Sequence, residues 1–217
     1  MTQENYIRNY EPADREAVRR IAYQTSFRDH PEAFLTDQEI VADALTRYFT
    51  DHEPGSCFVA VRQGKVVGYI IGTRNVKTMN RVFNLKILPQ LCLKMIQRGM
   101  IFNRQFLRLL AGAMAGFIRG EFFYPDYGKT YPGLLHINLE KDARNLGLGR
   151  KLIEHFETYL KDHNVKGLYL GTMSERAKEF FMKNGYKVLF ASQRAYLEYG
   201  MKERVPVYIM GKSFCHE

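Results

Sequence analysis

Cysteine is scarce in this 217-residue chain: Cys57, Cys92 and Cys215 are its three, too few and too scattered for a disulfide framework, with no Cys-x-x-Cys or Cys/His ligand spacing among them. A disulfide-stapled fold and a structural zinc centre are thereby excluded, no metal is expected, and the setting that follows is reducing and cytoplasmic. The N-terminal MTQENYIRNYEPAD has no apolar stretch, so export on a signal peptide is not expected. Acidic side chains are missing from Pro54 to Gly120, while eleven Lys and Arg fall inside. No apolar run reaches the ~20 residues of a membrane span, and no repeat or low-complexity segment is present.

What is there suffices for a core. With 46% hydrophobic residues, residues 1–217 read as one domain with an excursion. The net charge of +9 is regional, so its first reading is a solvated face or a partner surface; an anionic substrate and nucleic acid come after it.

The chain is organised around Leu134 to Leu160. Leu135, Ile137 and Leu139 alternate with His136 and Asn138, the period of a strand. From Leu148 the period changes: Leu152, Ile153, Phe156, Tyr159 and Leu160 form one helical stripe, and Glu157 precedes Lys161 by four. Between them lies Arg144-Asn145-Leu146-Gly147-Leu148-Gly149. The two glycines allow positive φ and close approach to bare backbone, and the helix start offers free N–H groups and a positive dipole end, with Arg144, Arg150 and Lys151 adding charge. An anion site is predicted. It is not a dinucleotide fingerprint, which needs three glycines and an acidic residue after the next strand, where Gly171-Thr172 stands. Nor is it a Walker loop, since Gly149-Arg150-Lys151 lacks Gly-Lys-Ser/Thr.

The turn instead fits Arg/Gln-x-x-Gly-x-Gly/Ala, and the run from Ser174 through Ala177, Phe180, Phe181 and Lys183 to Gly185-Tyr186 fits a second motif. On both, the chain resembles the GCN5-related N-acetyltransferase (GNAT) family over nearly its whole length apart from an insertion. Tyr131-Pro132-Gly133-Leu134-Leu135-His136-Ile137 is also similar to a run in the acetyltransferase-like domains related to those of O-GlcNAc hydrolases, with Leu134 where that run has its first His.

The resemblance implies an α/β (α+β) fold with a mixed, mainly antiparallel central sheet flanked by helices and opened between two strands at a cofactor cleft. It implies acetyl-CoA as co-substrate, its pyrophosphate on Arg144 to Arg150, chiefly by backbone, so that Arg144, Asn145, Leu146, Gly147, Leu148, Gly149 and Arg150 are cofactor candidates. Leu139 falls at the acetyl group, Asn138 is a further cofactor candidate, Ser174 caps the next helix, and Ala177 and Phe181 lie along the pantetheine arm. The activity implied is acetyl transfer to a primary amine of a small molecule or peptide by direct attack in a ternary complex.

In chain order, a strand at Tyr6 to Tyr10 leads to a helix opened by Glu11-Pro12. An irregular aromatic loop follows from Thr25 to Leu35, which in the resembling family borders the acceptor site. A capping box at Thr36-Asp37-Gln38-Glu39 starts a second helix, and a hairpin turns at Gln63-Gly64. A basic helical insertion spans about Lys77 to Lys129, with runs Leu85 to Arg98, broken near Pro89, and Phe102 to Ile118. Its apolar face is expected over the acceptor end of the cleft or against a second copy in a homodimer. Nucleic acid and a membrane surface, which a basic amphipathic helix can also meet, are not the leading expectations.

Chemistry is less determined. A free alkyl amine near pKa 10.4 must lose a proton, and His136 or Glu140 is the candidate base, with Asp142 behind them. Family members commonly carry a Tyr that protonates the leaving thiolate, where this chain has Phe181. Tyr186, Tyr196 or Tyr199 can substitute, thiolate can leave with water, or the domain binds acetyl-CoA without efficient turnover. A basic binder of nucleic acid or membrane is the alternative from another class.

Overall fold

The computed structural model describes residues 5–34 and 37–214. Seven strands form one sheet in the order β1-β2-β3-β4-β5-β7-β6: β1 (Asn5–Asn9), β2 (Cys57–Arg62), β3 (Lys65–Thr73), β4 (Gly133–Leu139), β5 (Gly167–Thr172), β6 (Lys187–Arg194) and β7 (Val205–Ser213). All neighbours are antiparallel except β4 and β5. This is the mixed, mainly antiparallel α/β architecture expected. The hairpin turn at Gln63-Gly64 takes positive φ at both residues, 51° and 74°, as the primed turns that match strand twist require.

Strand alternation divides the core. Phe58, Ala60, Ile70 and Leu135 face α6 (Leu148–Asp162) and α7 (Glu175–Lys183), while Val59, Val61, Tyr69 and Ile71 face α1 (Arg15–Asp29), α2 (Gln38–His52) and the insertion. The stripe read on α6 is the buried one: Leu152, Ile153, Phe156 and Leu160 are all 0–1% exposed. Glu157 departs from expectation. It is buried, and instead of meeting Lys161 it accepts the Tyr186 hydroxyl at 3.0 Å and the Lys212 ammonium at 2.7 Å, because position 157 turns toward the sheet with the stripe.

The cap of α2 is Asp37, whose carboxylate accepts the Ile40 N–H at 3.0 Å; Thr36, the cap expected, lies outside the described residues, as does Cys215. In α1 the last turn is not helical. Ser26 is extended and Phe27, Arg28 and Asp29 are all left-handed, with φ of 48°, 58° and 69°, an uncommon run for residues with a Cβ. This is the irregular aromatic segment, and Phe27 stacks on Phe34 at 4.7 Å.

The stretch expected as an insertion contains α3 (Val76–Val82), α4 (Leu88–Gln97) and α5 (Arg104–Ile118). Where the sequence suggested a break near Pro89, one π turn, Phe83–Ile87, joins α3 to α4 and Pro89 occupies the first turn of α4. Its missing N–H is tolerated there. Ile87 and Leu91 pack inward with α1 and α2. Gly112 of α5 sits so close to Tyr196, just before the short α8 (Glu198–Met201), that a Cβ would lie 2.8 Å from the Tyr196 carbonyl oxygen.

Candidate active site

The parallel strands part. β4 and β5 pair only at Gly133–Leu168 and Leu134–Tyr169, whereas β3 and β4 stay paired from Thr73–Leu134 to Gly68–Leu139. The Glu140 N–H donates to the Val67 carbonyl at 2.9 Å, so the backbone groups of 134, 136, 138 and 140 point to β3. By strand alternation those of Leu135, Ile137 and Leu139 point the other way, into the gap. The gap therefore has a wall of backbone donors and acceptors, ending at Leu139.

At the mouth of the gap stands the glycine turn. Asn145 and Gly147 are left-handed, φ 67° and 76°, and Gly147 is the N-cap of α6. Since the Lys151 N–H donates to the Gly147 carbonyl, the Leu148, Gly149 and Arg150 amides precede the first helical bond and face outward. A Cβ at Gly147 would meet nothing within 4 Å, whereas one at Gly149 would lie 3.1 Å from Phe180 Cζ and 3.3 Å from Leu139 Cδ1. Gly147 thus leaves space in front of the amides, and Gly149 lets the helix start close against the strand end. Asn145 is steadied by Arg176 of α7, which donates to its Oδ1 at 2.9 Å. The buried Leu148 anchors the turn and Leu146 is exposed.

The cations expected to draw an anion are largely occupied. Arg144 donates to both carboxylate oxygens of Asp29, at 2.9 and 2.8 Å, and its Nε to the Leu139 carbonyl at 3.1 Å. That pairing holds the Asp29 carboxyl below its usual range and raises the guanidinium. Arg150 pairs with Glu154 one turn on. An anion here would be held chiefly by amides and dipole.

On the opposite sheet face, a polar cluster lies beneath α1. The Tyr69 hydroxyl is 3.3 Å from His136 Nδ1 and accepts from Asn138 Nδ2 at 2.9 Å, and Asn138 Nδ2 is 3.3 Å from His136 Nε2. A neutral imidazole has one N–H, so it cannot accept at both nitrogens. Burial pulls the His136 pKa down to about 4 and pushes the Tyr69 phenol up. Glu140 ends the strand and accepts from Arg20 of α1 at 2.5 Å. His136, Asn138 and Glu140 thus do share a side, with Glu140 in an ion pair; the backbone carbonyl of Asp142 accepts from Arg62.

Along α7, Ser174 caps the helix, its hydroxyl 3.4 Å from the Ala177 N–H. Ala177 packs at the edge of the core, and Phe181 is buried inside it against Phe180 and Tyr186. Phe180 is the ring that reaches the start of α6. Of the tyrosines considered near the sulfur, Tyr186 is committed to Glu157, while Tyr196 packs on Phe122 and Tyr199 on Phe34. Asp29, Tyr69, Arg20, Arg176 and Phe180 were not legible as site residues, because the group each one meets lies far off in the chain. Among the described residues no group of His, Cys, Asp and Glu could hold a metal.

Residues 97–186, which contain the turn and both flanking strands, match the Acetyltransferase (GNAT) family. The chain carries a GNAT acetyltransferase domain. As such it is an acyltransferase. SsHAT is similar at 25% identity and a TM-score of 0.71, covering 98% of this chain and 100% of its own. The ribosomal-protein-alanine N-acetyltransferase from Brucella melitensis shares the fold at 18% identity and a TM-score of 0.57, covering 96% and 99%. So does yncA, a putative acetyltransferase from Salmonella typhimurium with its cofactor acetyl-CoA, at 13% and 0.59, covering 99% and 96%. None of the curated proteins matches. Two cavities, one of about 460 Å³ beside Asp37 and Arg98 and one of about 430 Å³ between Arg28 and Glu203, are lined by residues away from the gap.

Proposed function

We propose that the protein is an acetyl-CoA-dependent N-acetyltransferase acting on a primary amine of a small molecule or peptide, by direct attack within a ternary complex. What carries this reading is the parting of β4 from β5, which aims the Leu135, Ile137 and Leu139 backbone into a gap that opens onto the bare amides of α6. The Leu148, Gly149 and Arg150 N–H groups would hold the pyrophosphate, with Asn145 and Leu146 shaping the turn. The Leu139 N–H would polarise the acetyl carbonyl; one such donor in a dry site is worth about 3 kcal/mol. Asn138, on the same strand end, holds the polar cluster in register. Ala177 and Phe180 are the α7 groups suited to the pantetheine arm, with Phe181 supporting them from the core.

The proton inventory favours solvent at both ends of the reaction. A His136 at pKa about 4 is neutral near pH 7 but far too weak a base for an ammonium of pKa about 10.4. Glu140 is engaged in an ion pair with Arg20. The amine therefore sheds its proton to water before attack, and His136 and Asn138 serve to orient it. Phe181 has no proton to give and Tyr186 is tied to Glu157, so the thiolate, near pKa 8.5 as a free thiol, leaves without a phenol beside it. That same observation supports a slow or inactive acetyl-CoA-binding module as the second reading. Incubating the protein with acetyl-CoA and a broad panel of amines, and following free CoA thiol, separates the two: turnover with any amine supports the enzyme, and micromolar binding without thiol release supports the module.

A further inference from the structure

We propose that the outer face of the insertion, formed by α4, α5 and the turn between them, docks on an anionic lipid surface. Both helices are already satisfied on their inner sides, α4 through Leu91, with Ile87 of the π turn before it, and α5 through Gly112 against Tyr196. Their outer sides are nonetheless apolar. Phe102, in the connecting turn, is 82% exposed, and Leu107, Leu110, Met114 and Ile118 line α5 outward, Ile118 at 81%. On α4, Leu93 and Ile96 are more than half exposed as well. Large side chains on a helical stripe lose contact with water only if something covers them.

Charge decides what does. Lys94 and Arg98 are consumed by Glu39, Asp43 and Asp37, and Arg119 by Glu121. Arg81, Lys86, Arg104 and Arg108 are exposed and have no carboxylate partner among the described residues. The apolar stripe thus has a cationic fringe, and no acid occurs between Pro54 and Gly120 to absorb it. A second copy would bring the same arginines face to face across a two-fold interface. Anionic head groups over acyl chains match both the charge and the apolar stripe. Among the described residues no helix is long and apolar enough to cross a membrane, so the helices lie on the surface.

The test is co-sedimentation of the full chain with vesicles of phosphatidylglycerol and phosphatidylcholine in equal parts, against phosphatidylcholine alone, at low and high salt. Binding is expected on the anionic vesicles, weakened about tenfold or more by high salt. It should fall by about tenfold or more in Phe102→Asp/Ile118→Asp and in Arg104→Glu/Arg108→Glu. All four positions are exposed, so circular dichroism and melting should match the parent. Absence of anionic-vesicle binding, or undiminished binding by both variants, overturns the proposal. So does a dimer in analytical ultracentrifugation that Phe102→Asp/Ile118→Asp dissolves while vesicles bind neither protein, because the face would then belong to a second copy.

Discussion

Asp29 and Arg144 are 115 residues apart in sequence and meet in a two-pronged ion pair at 2.8 and 2.9 Å. The contact ties the left-handed last turn of α1 to the turn that opens α6. Its neighbour Arg28 reaches Glu203 before β7, so two consecutive residues pin one segment to two distant parts of the chain. Both partners of the Asp29 pair are partly buried, where geometry of this kind is worth more than an open surface pair. A double-mutant cycle of Asp29→Asn and Arg144→Gln by urea unfolding should give a coupling of about 1–2 kcal/mol; a value below about 0.3 kcal/mol means the pair holds nothing. Because the folded Asp29 pKa is lowered, this contribution is intact above the unfolded value near 3.8 and fades as pH falls through the folded one.

His136 sets a second, separate pH window. Its folded pKa of about 4 lies below the ordinary 6.5, so on acidification the unfolded chain takes up the proton first. Stability contributed by the neutral ring is complete above about 6.5 and drains away down to about 4, by roughly 3 kcal/mol in all. Depressed glutamates begin to lose their contribution only at the lower edge of this range, below about 4.5, and depressed aspartates below it. Comparing pH-dependent unfolding of the parent with that of His136→Gln should show the slope between pH 4 and 6.5 only in the parent. An equal slope in both would assign it to other groups.

Phe181→Tyr is the substitution that restores the residue usual in the resembling family. The ring is 4% exposed and packed between Phe180 and Tyr186, so a hydroxyl there is desolvated without a partner, at a cost of about 1–3 kcal/mol. The expected result is a lower melting temperature and no faster thiol release. A clear rate gain would show that the sulfur sits at this side chain.

Lys212→Met should be more damaging than Tyr186→Phe. The lysine neutralises Glu157, whose side chain is 8% exposed, and removing it strands a buried carboxylate, costing about 3 kcal/mol or more. The phenol supplies one hydrogen bond, worth about 1–2 kcal/mol to a charged acceptor. Equal losses in denaturant midpoint would contradict this ranking.

How much of this could be read from the chain follows from how local each signal is. The β4–turn–α6 unit was legible because a change of period and two glycines mark it within a few residues, and Leu152, Ile153, Phe156 and Leu160 are buried as their spacing required. Ser174 was legible as a cap for the same reason. Glu157 was misread because its four-residue offset from Lys161 suits a surface pair as well as a core position, and only the fold brings Lys212 to it. Pro89 reads as a break because a π turn has no sequence mark of its own. Asp29 with Arg144, and Tyr69 with His136, join distant segments that nothing in either segment predicts.

The central claim, that the gap between β4 and β5 and the amides at the head of α6 hold acetyl-CoA, is tested most directly by amide hydrogen exchange with and without the ligand. Protection confined to Leu135–Leu139 and Asn145–Lys151, and much reduced in Gly147→Val, is the predicted result. Protection elsewhere on the protein, with these two segments unchanged, would contradict the claim.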